Sequence, residues 1–354
     1  MSSALESPRD GQNLKSSPNL CFDPSILPSV KNWRSHLALG AVILAVAAVP
    51  LAHSQAAPTD AGPQLAIIDT DIGDDIDDAF AVALALRSPE LHILGITTAY
   101  GDTELRARLL DRYLGAIGRA DIPVAAGIAT PQNNIFTQAA YAHHAPERRH
   151  SDAVAFLLNQ IRAHPGQITL IAIGPLFNIQ VAIERDPITF RRLRRVVIMG
   201  GSIYRGYGND KSGSPQPPEP EWNIRCDPAG ARALLAAGIP VFVMPLDSTQ
   251  IPLESPAQGA IFSHGSPLTD QLTLLYHQWT GASESRTPTL FDPVAVTYAI
   301  RPDLCPAAPM RLEVDDKGDT RPVQGAPNTQ VCLKSDESGF MTLLLNRITS
   351  DALR

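Results

Sequence analysis

The chain has 354 residues, 44% of them hydrophobic and 18% charged, enough apolar material for one large core. A formal net charge of −7 with scattered Lys and Arg argues against a nucleic-acid polyanion as main partner. The densest basic run, Arg191, Arg192, Arg194 and Arg195, precedes an apolar segment and reads as a solvated helix end.

Residues 1–36 are polar, without periodicity, and read as a disordered leader. Lys31 and Arg34 precede an uncharged apolar stretch, and small residues follow around Ala52, Ser54 and Ala56. Across 37–56 that is the order of an export signal with its cleavage region, which implies a secreted or periplasmic protein. The stretch is short for a membrane span, so an uncleaved anchor is the secondary reading. A mis-assigned start codon would instead leave the protein cytoplasmic. Cys21 leaves with the leader, and Cys226, Cys305 and Cys332 remain. In an oxidising compartment Cys305 and Cys332 can pair; three reduced thiols are the alternative.

From residue 65 apolar runs alternate with helical patterns. Strands are predicted at 65–68, 91–97, 168–173, 196–199 and 241–244, and helices at 78–86, 104–116, 153–163, 176–184 and 228–237. The last helix has Asp227 as N-cap, Pro228 at its first position and Gly238 just past its end. This alternation predicts an α/β fold, a single domain over 65–354 with a mainly parallel sheet flanked by helices. Functional residues then belong at the carboxyl ends of the strands. Two Pro/Gly/Asn-rich stretches, 127–150 and 200–220, are long enough to serve as binding loops.

The most informative segment follows the first strand: Asp69-Thr70-Asp71-Ile72-Gly73-Asp74-Asp75-Ile76-Asp77-Asp78. Six carboxylates in ten residues repel one another unless a cation neutralises them. Oxygen ligands without nearby Cys or His favour Ca²⁺ or Mg²⁺ over zinc. Gly73 permits a sharp turn, and Asp77 and Asp78 fall on the first turn of a helix, where its dipole favours negative charge. A solvated acidic loop is the competing structural explanation.

With these residues the chain resembles the inosine–uridine-preferring nucleoside hydrolases. Further family segments follow in order: Gly95-Ile-Thr-Thr98 with Gly101-Asp102, Ile171-Ala-Ile-Gly-Pro-Leu176 with Asn178, and Val197-Ile-Met-Gly-Gly201. Glu221-Trp222-Asn223, Cys226-Asp227-Pro228 and Phe291-Asp292-Pro-Val-Ala-Val296 complete them. The resemblance implies hydrolysis of the bond between ribose and nucleobase, with Ca²⁺ as cofactor and a small nucleoside as substrate. It implies that Asp71, Asp78 and Asp292 are carboxylate ligands, that Ile173 gives a backbone carbonyl, and that Asp71 is the general base. Asp77, Glu221 and Asn223 are implied to grip ribose, and a homo-oligomer is expected.

Three departures bear on these roles. Asp74 and Asp75 form a two-residue insertion, so Asp75 is an alternative ligand to the Asp77–Asp78 pair. Asp102 stands where the family often has Asn, adding a candidate carboxylate to the substrate site. Phe291 replaces a His that can protonate the departing base. It can stack on the base, while Tyr141, His143, His144, Tyr204 and Tyr207 are candidate proton donors. Two other functions compete: a calcium-dependent nucleoside-binding protein without turnover, and a haloacid-dehalogenase-type phosphotransferase with Asp69 as nucleophile. Gly73 and the crowded Asp77-Asp78 pair fit the second poorly.

Overall fold

The computed structural model describes residues 62–132 and 134–350; the leader and export-signal readings lie outside the described residues. The strands are β1 (Gln64–Thr70), β2 (Leu91–Thr98), β3 (Val124–Ala126), β4 (Ser151–Asp152), β5 (Thr169–Ala172), β6 (Arg195–Met199), β7 (Val241–Met244), β8 (Ala308–Met310), β9 (Leu312–Val314), β10 (Thr320–Pro322) and β11 (Thr329–Val331). Nine of them form one sheet, in the order β4-β3-β2-β1-β5-β6-β7-β11-β8, while β9 and β10 pair separately. Every pairing in the large sheet is parallel except β8 against β11.

The helices are α1 (Asp77–Leu86), α2 (Thr103–Ala116), α3 (Ala139–His143), α4 (Ala153–Ala163), α5 (Phe177–Arg185), α6 (Pro187–Phe190), α7 (Trp222–Cys226), α8 (Pro228–Leu235), α9 (Leu246–Thr249), α10 (Ser255–Phe262), α11 (Pro267–Ala282), α12 (Asp292–Ile300) and α13 (Glu337–Ile348). The predicted α/β layering is therefore present. The helix after Asp227 stops at Leu235, two residues short of the predicted end. The Asp227 carboxylate does cap it, accepting from Gly230 N at 2.8 Å, and Gly238 has the positive φ, 73°, of a chain leaving a helix.

Successive side chains of a strand point to opposite faces, and here both faces are covered. Ala66 and Ile68 of β1 join one apolar layer with α1, α12 and α13, whereas Ile67 joins the other with α4, α5 and α8. α1 and α12 are buried along almost their whole length and pack on each other, as suits helices that are largely apolar on every side beyond their opening Asp residues. The chain runs outward from β1 through β2, β3 and β4 on one side and from β5 through β6 and β7 on the other. That reversal opens a crevice at the carboxyl ends of β1 and β5, the place where open parallel sheets bind ligands.

Cys305 and Cys332 form a disulfide with a Cα–Cα distance of 5.6 Å, and Cys226 is free. The bond ties the turn after α12 to the end of β11. Closing a loop of 27 residues contributes about 3.5 kcal/mol by the chain-entropy argument.

Candidate active site

The loop leaving β1 is built by long-range hydrogen bonds. Asp69 is buried; its Oδ1 accepts from Asn178 Nδ2 at 2.7 Å and from the Thr97 hydroxyl, which pins β1 to α5 and β2. Burial nevertheless pushes its carboxyl up to about 6. The chain then turns through Gly73 at φ 127°, where a Cβ would lie 2.0 Å from the Phe136 ring. A second close approach explains the Gly-Pro-Leu turn after β5. A Cβ on Gly174 would stand 2.8 Å from the Asp71 backbone nitrogen and carboxylate.

Two helix N-termini meet at this loop. Asp77 and Asp78 open α1, and Asp292, more than 200 residues later, opens α12. The Asp292 backbone N–H donates to Asp77 Oδ2 at 3.1 Å, and the Thr70 hydroxyl donates to Asp78 Oδ1 at 2.5 Å. One carboxylate oxygen from each of Asp77, Asp78 and Asp292 lies within 4.8 Å of the others, and all three residues are buried. Both dipoles favour negative charge there.

That stabilisation is not enough for four free carboxylates. Burial first, and repulsion from Asp71 and Asp77 next, push Asp78 well above the usual carboxylate range. Asp77 rises by burial and then by Asp75, and Asp292 by burial and then by Asp77 and Asp78. Burial lifts Asp71 to about 7, against the pull of the Arg106 guanidinium. Such a group must take up protons or a cation. Buried all-oxygen donors from two rigid helix ends suit a hard divalent cation.

The carboxylates floor a cavity of about 440 Å³, within the range of small-ligand sites. Asp71, Asp77, Asp78, Ile173, Glu221, Asn223, Phe291 and Asp292 all line it, as does Asp75. Glu221 lines the cavity and is also held by backbone N–H groups. Its Oε1 accepts from Asn223 N at 2.9 Å, and its Oε2 accepts from Gly201 N and Ile224 N at 3.0 and 3.2 Å. It therefore caps α7 and fixes the Gly200–Gly201 turn beside it. Asn223 Nδ2 donates to Met199 O at 3.1 Å, which sets the amide's orientation on the cavity wall.

Asp102, expected at the substrate site, lies at the start of α2. It is exposed and is not among the residues lining the cavity; its carboxylate caps α2 by accepting from Leu105 N at 3.0 Å. The side chain of a residue that starts a helix is drawn to the free N–H groups of the first turn. Among the candidate proton donors only Tyr207 reaches the cavity. Its hydroxyl accepts from Trp222 N at 2.9 Å, and its ring meets Phe291 edge-on at 6.0 Å. Tyr141 is buried elsewhere, donating to Gln271 Oε1 at 2.6 Å beneath the Arg112 guanidinium. His143, His144 and the exposed Tyr204 lie outside the lining as well.

Trp222 of the Glu221-Trp222-Asn223 segment and Asn134 and Ile135 of the 127–150 stretch line the cavity, and so does Trp279 of α11, which carried no sequence signal. A lone Trp on an amphipathic helix reads as core, so only the folded chain shows that Trp279 borders a site.

Comparison with known proteins agrees with this geometry. The family described as inosine-uridine preferring nucleoside hydrolase matches residues 66–342. The pyrimidine-specific ribonucleoside hydrolase RihA of Citrobacter koseri is 31% identical over 77% of this chain and 94% of its own length. Uridine nucleosidase 1 of Arabidopsis thaliana is 31% identical over 67% of this chain and 74% of its own. A solved plant nucleoside hydrolase superposes with a TM-score of 0.71 at 28% identity, covering 81% of this chain and 99% of that one. The family match removes the phosphotransferase alternative. The chain belongs to the inosine–uridine-preferring nucleoside hydrolase family and is thus an N-glycosidase of nucleosides.

Proposed function

We propose that this enzyme hydrolyses ribonucleosides to free base and ribose with Ca²⁺ as its cation. The observation that carries the reading is the buried carboxylate cluster at the β1–β5 crevice, facing aromatic walls across one cavity. Asp71, Asp78 and Asp292, with the Ile173 carbonyl, hold the ion. Asp77 is also near enough to share in it, since one of its oxygens lies within 4.8 Å of those of Asp78 and Asp292. A calcium ion held there lowers the pKa of water and supplies positive charge beside the sugar.

The chain's own groups do the rest. Asp71 takes the proton of the water that attacks C1′. Asp77, one oxygen of which already accepts from Asp292 N, offers the other to a ribose hydroxyl. Asn223 reaches the sugar from a turn that Glu221 holds rigid. These contacts strengthen as the sugar flattens toward an oxocarbenium-like transition state. Phe291, backed edge-on by Tyr207, offers a ring face for the planar base. Tyr207 is the candidate donor of a proton to the departing base.

The test is release of free base and ribose from a ribonucleoside panel, with and without a chelator. Turnover abolished by chelation and restored by Ca²⁺ is expected; no release from any nucleoside overturns the reading. Export to an oxidising compartment is the matching cellular proposal, supported by the Cys305–Cys332 bond. Thiol counting after denaturation without reductant should find Cys226 reactive and Cys305 and Cys332 unreactive. A homo-oligomer, proposed from the family, is checked by light scattering.

A further inference from the structure

Arg106 lies on α2, yet its side chain is completely buried. Its Nε donates to Tyr100 O at 2.7 Å, and its Nη1 donates to Ile72 O at 3.0 Å and to Asp71 O. Its Nη2 donates to Asp74 Oδ2 at 2.7 Å. The guanidinium lies 4.9 Å from the Phe136 ring centre and 5.8 Å from that of Tyr100. Among the described residues Tyr100 is alone of the non-glycines in having a positive φ, 64°. That conformation is costly for a bulky residue, and here it aims a carbonyl at Arg106.

Asp74 is engaged on its other side by a second segment. Oδ2 also accepts from Asn134 Nδ2 at 2.6 Å, and Oδ1 from Gln132 Nε2 at 3.2 Å. Around it, Thr137 Oγ1 donates to Asp74 O at 2.7 Å, Gln138 Nε2 to Asp75 O at 2.8 Å, and Gln138 N to Gly73 O at 3.0 Å. Asn134, Ile135 and Thr137 of this segment line the cavity. Asp74 borders the cavity too, but its charge is matched by Arg106 and its two oxygens accept from three donors.

We propose that Arg106 and Asp74 are positioning residues that couple the carboxylate loop to the substrate-facing wall. Arg106 holds the loop by its backbone, at the carbonyl of Asp71 itself. Asp74 carries the same restraint to the segment whose Asn134, Ile135 and Thr137 border the space left for the nucleoside. One buried ion pair thereby sets both the place of the general base and the wall the substrate meets. A fork of charge-assisted donors to fixed acceptors is the arrangement suited to this, and a Lys cannot reproduce it. The substrate side of the inference rests on the hydrolase reading above; the coupling itself does not.

The two parts make different demands on variants. Asp74→Asn, and separately the double change Gln132→Ala with Asn134→Ala, should raise KM for the best nucleoside about tenfold, as expected for lost bonds to a charged group. In both, kcat stays within about twofold and Ca²⁺ affinity is unchanged, because the bonds to Asp71 O and Ile72 O survive. Arg106→Lys should lower kcat as well, since the loop itself loosens. Amide exchange without substrate should speed up over 134–138 in all three variants, and over 71–76 only in Arg106→Lys.

Unchanged exchange over 134–138 in folded Asp74→Asn, with wild-type KM, overturns the proposal. If Asp74→Asn fails to fold, the double variant decides, because it leaves the ion pair intact. Faster exchange in the variants, with no nucleoside cleaved by the unaltered enzyme, would keep the coupling and sink the hydrolase reading instead.

Discussion

Two acidic clusters in this protein look alike by composition and differ in charge balance. At the crevice, Asp71, Asp77, Asp78 and Asp292 crowd together with Arg106 as the nearby cation, and burial with mutual repulsion raises all four. On the outer side of α2, Glu104 and Asp111 clamp the buried His150 ring, at 2.7 Å from Nδ1 and 2.9 Å from Nε2. There Arg148 also pairs with Asp111, so each carboxylate has a partner within the protein. The contrast teaches that acidity alone does not mark a site. What marks it is buried charge that the protein leaves unpaid, at a place where the fold opens a cavity.

The largest test of that contrast is removal of one crevice carboxylate. Asp292→Ala should lose Ca²⁺ binding and at least ~10³-fold in kcat, measured by calorimetry and base release. Intact kcat in this variant would end the metal assignment.

Chelation should next reveal the uncompensated charge as a pH effect on stability. Asp71 has a folded-state value of about 7 against 3.8 for a free carboxyl. A raised carboxyl favours the folded state when protonated, so that contribution is complete below about pH 4 and is lost as pH rises through about 7. The chelated protein should therefore melt at lower temperature at pH 7.5 than at pH 5, and added Ca²⁺ should recover more at pH 7.5. Equal recovery at both values would contradict the picture of unpaid charge.

The balanced cluster makes the opposite prediction. His150→Ala leaves Glu104 and Asp111 without their shared partner and should cost about 2–3 kcal/mol in denaturant melts. Its kcat and Ca²⁺ affinity should stay at wild-type values. Smallest of all, Asp102→Ala removes a helix cap and should cost about 1 kcal/mol with no change in KM. A tenfold rise in KM there would restore Asp102 to the substrate site.

The elements nearest the crevice were legible because their signals are local. An apolar run, a series of carboxylates and a helix apolar after its two opening Asp residues name β1, the acidic loop and α1 within 23 residues. The short strands β3, β8 and β11 have three residues each and no periodicity to read, so they form only against neighbours already in the sheet. Asp77 stands in the run of carboxylates and Asp102 does not, but only the fold shows that the Asp102 side chain turns back to cap its own helix.

The chain alone thus determined the alternation of strands and helices, the run of carboxylates and its place after the first strand. These depend on residue type and on backbone periods of two and 3.6, which act over a few residues. Tertiary structure decided that Asp292 meets Asp77, that Asp102 turns to its own helix, that Glu221 is spent on backbone N–H groups, and that Arg106 lies buried under the loop. Each of those depends on sheet order and on how far an element is rotated about its axis, quantities set by packing across the whole domain.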